Sequence, residues 1–321
     1  MKVFIIDLVG CKPFEIGYQI KKTLENLGHE TKSFNYRFFK LQHFKFSNKL
    51  LNEYMVFQAT RYKPDLVLVN KGESILPKTI EKIKKIDCKA VSWNPDEPFG
   101  YLDSFNRIEN VSEYDAYFTY DKQYLNPLKK LNKNVFHLPP GADPFEVHKE
   151  VMELEKRKFS ADLCLVGTAY KNRIELLSKF SNYKLKLAGP KWDKAPKKLA
   201  EQALPRVSIR EMVSMFNESK IVLNHYGESK YFIVPNPRTF EIPASRSFQL
   251  TNMSREVEDY FKPNKEIVVY KDEQEFKELV DYYLDDDQER NEIAQKGYER
   301  VLKEHTMENR IKKMLDVLDK I

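Results

Sequence analysis

Apolar positions in this chain fall into short runs separated by amphipathic stretches. Residues 2–8 form the first run and predict a strand, and residues 13–27 follow with Phe14, Ile16, Ile20, Leu24 and Leu27 near helical spacing, stopping at Gly28. PDLVLVNKG (64–72) predicts a second buried strand and residues 76–86 a helix. KAVSWNPDEP, AYFTYD and NVFHLPPG predict further strands, each reached through a helical or loop crossover. Short β-branched runs alternating with amphipathic helices are the pattern of a parallel sheet covered on both faces.

A charged segment, residues 144–159, carries no strand signal and predicts an interdomain connection with a helix in it. The rhythm then restarts. ADLCLVG (161–167) predicts a strand ending in glycine, residues 172–180 a helix, 183–189 a strand and 209–217 a helix; KIVLNHY predicts a strand, PRTFEIPAS a helix start, and SFQLTN and EIVVY the last strands. Residues 273–321 are almost all helical in pattern, with breaks near 285–287 and near His305. The whole predicts an α/β fold of two Rossmann-like, doubly wound domains, with ligands at the carboxyl ends of the strands in the cleft where two such sheets face each other.

Composition narrows this picture. The 321 residues are 41% hydrophobic and 32% charged, a balance that supports real cores and argues against disorder. The N-terminal apolar run is interrupted by Asp7 and is too short for a signal segment, and no run approaches the length of a transmembrane helix, so a cytoplasmic protein is expected. Cys11, Cys88 and Cys164 are far apart and read as buried reduced thiols. The net charge of +6 is spread as lysine pairs among acidic residues, which reads mostly as solvated helix faces with a mild bias toward an anionic ligand.

The chemistry should therefore sit at strand ends. No G-x-G-x-x-G or G-x-x-x-x-G-K-[ST] is present, which removes the nicotinamide and flavin fingerprint and the P-loop enzymes. The histidines form no H-x-H or H-E-x-x-H, so no metal site is expected, and Asp285, Asp286 and Asp287 read as a helix cap and break. There is no G-x-S-x-G elbow and no Cys/His pair. In WNPDEP, Asp96 either orients or deprotonates a substrate hydroxyl or caps a following helix. LVGTAYKNR places Gly167 and Thr168 in a turn and Lys171 and Arg173 near a helix N-terminus, where the dipole favours an anion. Asn224 and His225 follow another strand. Arg238, Thr239 and Glu241 open a predicted helix; Arg238 and Glu241 share a face, where arginine suits a diphosphate and a carboxylate suits vicinal ribose hydroxyls, although R-x-x-E is also an ordinary surface pair.

The runs KIVLNHY, NPRTFEIPASRSFQLTN, EVEDYF, EIVVY and LVDYYLDDDQERNEIAQKGYERVLKEHTMENR resemble the C-terminal half of the CgeB-like (spore maturation protein type) glycosyltransferases, related to the large retaining glycosyltransferase family 4 group. LVGTAYKNR, LAGPKW, PDLVLVNKG, VSWNPDEP, YDAYFTYD and HLPPGADP fit the same family, with the weakest likeness over residues 30–60. The resemblance implies a GT-B fold: an acceptor domain over 1–150, a nucleotide-sugar donor domain over 151–303, and a last helix, 304–321, returning to the first domain. It implies Glu241 as the donor-ribose carboxylate, Arg238 and Arg173 as diphosphate partners, Gly167 and Thr168 as the phosphate-facing turn, and Asn224, His225 and Thr239 beside the donor; Lys171 is a third candidate cation for the diphosphate. It implies a nucleoside diphosphate sugar as substrate, with no cofactor and no metal; the expected donor is UDP-linked. Asp96 is then the first candidate for a catalytic base if the reaction inverts.

Two departures stand out. Relatives carry a second glutamate upstream of the ribose one, where this chain has Ile233 and Val234; and Ser245-Arg246-Ser247 replaces the usual small glycine-containing turn, so Arg246 either points outward or alters the donor site. Rival readings are a nucleotide-sugar epimerase, a DNA-base glycosyltransferase that would use the aromatic-basic segment 36–46 (YRFFKLQHFKF), and a catalytically silent sugar-binding relative. The expected partners are the donor and a glycan, small-molecule or macromolecular hydroxyl acceptor, with nucleic acid the less favoured acceptor.

Overall fold

The computed structural model describes residues 1–7, 15–36, 48–100, 108–151, 158–226 and 235–321. Two compact units result: Met1–Pro140 together with Met307–Ile321, and Gly141–Thr306. Each is built on a six-stranded sheet in which all neighbours run parallel.

In the first unit, β1 (Lys2–Asp7), β2 (Glu30–Asn35), β3 (Leu66–Asn70), β4 (Lys89–Asn94), β5 (Ala116–Thr119) and β6 (Val135–His137) lie in the order β2-β1-β3-β4-β5-β6. The alternation of β1 and β3 fills two separate cores. Phe4, Ile6, Val67 and Val69 pack on one face with Leu51 and Met55 of the helix Asn48–Tyr62 and with Ile80 and Ile83 of Pro77–Lys84. Val3, Ile5, Leu66 and Leu68 pack on the other with Ile20 and Leu24 of Ile16–Asn26 and with Met307, Ile311, Met314 and Leu318 of the last helix, Met307–Leu318. Arg310, buried on that last helix, donates from Nε to the carbonyls of Pro139 and Pro140, each at 3.0 Å, and so ties the chain's final element to the end of the first sheet. A helix recruited from the C-terminus thus closes a face that the N-terminal sequence leaves apolar.

In the second unit, β7 (Ala161–Val166), β8 (Leu185–Ala188), β9 (Ala203–Leu204), β10 (Ser219–Asn224), β11 (Gln249–Asn252) and β12 (Val268–Tyr270) lie in the order β12-β11-β10-β7-β8-β9. Ile209–Glu218 starts with a capping box between Ser208 and Glu211, and Pro237–Ala244 starts with an Asn236 cap and proline in its first turn. Asp286 Oδ1 accepts from the Glu289 amide at 2.8 Å, so the acidic triplet is the expected cap and break between Glu273–Asp285 and Asp287–Arg300. Residues 144–147 form a turn, not a helix, while 152–157 lie outside the described residues.

Two elements of the first unit carry no clear sequence signal. β2 buries only Phe34 among its six residues, so no apolar alternation marks it. The helix Asn48–Tyr62 buries Leu51 and Met55 yet exposes Leu50 and Phe57, so its apolar residues form no single stripe. Of the segment 36–46 only Tyr36 is described, and it is buried in the first core; the rest, like Ile233 and Val234, lies outside the described residues. Cys164 is a buried free thiol, which burial pushes up to about 12; Cys88 is free but only half-buried, not buried as expected, and Cys11 lies outside the described residues. Among the described residues no helix is long and apolar enough to cross a membrane.

Because Ile311, on the last helix, is fully buried in the core that also holds Val3 and Ile5 of β1, Ile311→Ala should lower unfolding free energy by about 2–5 kcal/mol. Urea unfolding of the full chain measures this; a loss within error of zero would show that the helix is not part of that core.

Candidate functional site

The second unit concentrates its polar chemistry at the carboxyl ends of β7 and β10. β7 runs into Gly167, and β8 into Gly189, whose φ is +128°. A Cβ on Gly189 would stand 2.4 Å from the Gly167 carbonyl oxygen, and one on Gly167 would stand 2.6 Å from Arg173 Nη1. Neither approach admits a side chain without movement of its surroundings. The Gly167 carbonyl also accepts from Trp192 Nε1 at 2.9 Å, which fixes the turn from the opposite side.

Arg173 lies on the helix Lys171–Lys179 and is buried against this turn. Its Nη1 donates to the Thr168 carbonyl at 2.9 Å and its Nε to the His225 carbonyl at 2.7 Å; the next residue back, Asn172, donates from Nδ2 to the Tyr226 carbonyl at 2.7 Å. One guanidinium therefore staples the end of β7 to the end of β10. Burial pushes its pKa down to about 10, with Tyr170 opposing and Arg238 adding to the shift, so it stays charged at neutral pH. The Tyr170 ring lies 5.2 Å away, at cation–π distance. Lys171 differs: its side chain is 79% exposed and lies 3.6 Å from Glu175, one turn along the same helix.

Asn224 and Thr239 are both buried and satisfy each other, with Asn224 Nδ2 donating to Thr239 Oγ1 at 3.1 Å. Asn236 donates to Asn224 Oδ1 at 3.0 Å, and Tyr226 hydroxyl meets Thr239 Oγ1 at 2.8 Å. This network holds the N-terminus of Pro237–Ala244 against β10. His225 hydrogen-bonds through Nδ1 to the Tyr270 hydroxyl, and the rings are nearly parallel with centroids 6.0 Å apart. Burial, then the Arg173 charge, pushes the His225 pKa down to about 4.

The same helix presents Arg238 and Glu241. Arg238 Nε donates to the Val166 carbonyl at 3.2 Å, at the end of β7, and Nη1 pairs with Glu241 Oε2. Burial works against the Glu241 charge, but Arg238 and His148 outweigh it and hold the carboxyl down to about 2. His148, absent from the strand-end candidates, is fully buried with Nε2 3.6 Å from Glu241 Oε1. Its local signal is the turn ADPFEVH, in which Asp143 Oδ1 accepts from the amides of Phe145 and Glu146 at 2.9 and 3.0 Å. Arg246 points outward: its φ of 55° ends the helix in a left-handed turn, its guanidinium lies 4.3 Å from the Tyr298 ring centroid, and Nη1 lies 3.3 Å from Glu150.

Gly167, Thr168, Arg173, Asn224, His225, Arg238, Thr239 and Glu241 are thus joined by direct contacts around β7 and β10, while Lys171 faces solvent. Asp96 belongs to the first unit. Its backbone is held by Asn94, whose Oδ1 accepts from the Asp96 amide at 3.2 Å, and its Oδ2 is 3.0 Å from Lys71 Nζ. Among the described residues no helix follows Asp96 directly; residues 101–107 lie outside them. No cluster of three or more His, Cys, Asp or Glu suited to a metal occurs among the described residues.

The family described as Glycosyl transferase-like matches residues 171–316, which contain the Arg173, Arg238 and Glu241 constellation. The spore protein CgeB of Bacillus subtilis (strain 168) is 22% identical over 269 residues, covering 77% of this chain and 80% of that protein. The chain is similar to the CgeB-like glycosyltransferases. Solved structures give the fold as GT-B. Sucrose-phosphate synthase from Thermosynechococcus elongatus superposes with a TM-score of 0.68 at 11% identity, covering 100% of this chain and 98% of the other. Anabaena Alr3699/HepE, solved with UDP and glucose, gives 0.65 at 12% identity with 100% of both chains covered. A glycosyltransferase from Rickettsia africae gives 0.67 at 14% identity, covering 99% and 98%.

The depressed histidine has a consequence for this CgeB-like chain. His225 is neutral in the fold down to about pH 4 but takes up its proton near 6.5 when unfolded, so the unfolded state binds more protons in between. Stability should fall as pH drops from about 6.5 through 4, this one residue accounting for about 3 kcal/mol at the acid end. Thermal midpoints recorded across that window should decline less steeply for His225→Gln than for the unmodified chain; equal slopes would mean that His225 is not held neutral.

Proposed function

We propose that this glycosyltransferase moves a hexosyl group from a UDP-linked sugar to a hydroxyl acceptor, without a metal. The observation that carries the reading is the buried, ionised Glu241 gripped by Arg238 at the end of β7. A carboxylate accepts from two vicinal hydroxyls, as a ribose presents them, and a guanidinium beside it matches a diphosphate. Anabaena Alr3699/HepE, which shares this fold and is solved with UDP and with UDP-glucose, supports the choice of donor.

In this reading Arg238, whose side chain is 29% exposed, touches the diphosphate, while Arg173 spends two donors on backbone carbonyls and acts through its charge and by holding the Gly167–Thr168 turn. The N-terminus of Lys171–Lys179 adds its dipole. As the acceptor oxygen bonds to the anomeric carbon and the carbon–phosphate oxygen bond breaks, negative charge grows on the departing UDP, where these cations are aimed. They supply the charge that a divalent ion would otherwise bring. Asp96, on the first unit, is assigned to the acceptor, whose hydroxyl it would orient or deprotonate.

Thermal-shift titration with UDP, GDP, dTDP and CMP conjugates should give the largest stabilisation with a UDP sugar, and turnover should survive EDTA. Arg238→Ala should weaken UDP binding roughly 10- to 100-fold, the worth of a hydrogen bond to a charged group. Unchanged nucleotide binding and turnover in that variant would overturn the assignment. For Asp96→Asn, a loss in kcat of about 100-fold or more identifies the proton acceptor, whereas a raised acceptor KM with kcat kept identifies an orienting role.

A further inference from the structure

We propose that His148 is a positioning residue for nucleotide recognition: it fixes the Glu241 carboxylate so that one lone pair on each oxygen is left for the two ribose hydroxyls. The proposal rests on the ribose role of Glu241 argued above and extends it to a residue outside the strand ends.

The turn that follows Gly141 determines the ring's orientation. The His148 amide donates to the Asp143 carbonyl at 2.7 Å, and Nδ1 accepts from the Asp143 amide at 3.1 Å. With Nδ1 as acceptor, the ring proton sits on Nε2. That N–H lies 3.6 Å from Glu241 Oε1, just beyond hydrogen-bond length, and has no other partner although the ring is fully buried. A buried donor without an acceptor is costly, so its placement against a carboxylate oxygen is informative. Arg238 already occupies Oε2. A carboxylate offers about four lone-pair directions; Arg238 takes one on Oε2 and His148 addresses one on Oε1. The remaining pair, one per oxygen, matches a cis diol. His148 itself touches no nucleotide and acts only through Glu241.

Two substitutions separate its nitrogens. Asparagine can replace the Nδ1 acceptor and so keep the turn, but lacks a donor at the Nε2 position; glutamine reaches the Nε2 position with an amide N–H. The readout is the ratio of dissociation constants for UDP and 2′-deoxy-UDP on the full chain. The unmodified protein should prefer UDP roughly 10- to 100-fold. His148→Asn should lose most of that preference and His148→Gln should keep it; a role confined to the turn gives the opposite order and overturns the proposal. If His148→Asn does not fold, His148→Phe retains the ring's volume, deletes both nitrogens and should lose the preference as the asparagine variant does; preference kept there also overturns it. Glu241→Gln distinguishes the two levels. Preference retained in Glu241→Gln refutes the ribose role itself, whereas preference lost there but kept in the donor-less His148 variants refutes only the positioning role.

Discussion

A charged carboxylate buried at the end of a sheet is the constraint on which the second unit turns. Leaving Glu241 ionised without partners would cost several kcal/mol, a large share of the net stability of a folded domain. Its partners must be delivered by the fold. Arg238 reaches it from the previous turn of the same helix, and is itself pinned to the Val166 carbonyl. That helix is set by the Asn236 cap and by the Asn224–Thr239–Tyr226 network beneath it. His148 arrives from a separate turn whose own amides are satisfied by Asp143. Strand end, helix start and connecting turn are thereby fixed relative to one another by a single ionised group.

The positive charge around this carboxylate is divided by burial into different jobs. Arg173 is cationic but has committed Nε and Nη1 to main-chain carbonyls, so it functions as a cross-link between β7 and β10 as well as a local charge. Arg238 keeps part of its guanidinium exposed. Lys171 is solvated and sits beside Glu175, where screening leaves an ion pair worth little. Arg246 lies over Tyr298 at the far end of the helix and is spent on packing. Residue type alone leaves Lys171, Arg173 and Arg238 alike as candidate anion partners; only their hydrogen-bond partners and exposure separate them.

The same distinction explains what was legible in the sequence. Strands such as β3 and β7 are buried on both faces and read as continuous apolar runs, and Asp286 announces a helix cap by its position alone. β2 was invisible because an edge strand with one buried side chain has no pattern to show, and the helix Asn48–Tyr62 because its apolar residues occupy both faces. At the site, Arg238 and Glu241 were readable as an i, i+3 pair. His148 was not, since nothing local relates it to a helix ninety-odd residues later; its contact is a product of the fold. The outward turn of Arg246 likewise depends on a left-handed backbone angle and on Tyr298.

All the groups proposed to recognise the nucleotide belong to the unit Gly141–Thr306, whereas Asp96 belongs to the other. The contacts that would discriminate ribose and diphosphate are internal to one compact body, fixed by strand register, one helix cap and the 143–148 turn. Nucleotide affinity is then a property of that body's own packing, and its dependence on Glu241, Arg238 and His148 can be measured without an acceptor present. In the proposed function chemistry additionally requires the acceptor group, so substitutions in the first unit should separate from those in the second by leaving nucleotide binding intact while altering turnover. On that proposed division, one donor site can be kept while acceptors vary, because the contacts that hold Glu241, Arg238 and His148 are all made within the unit Gly141–Thr306.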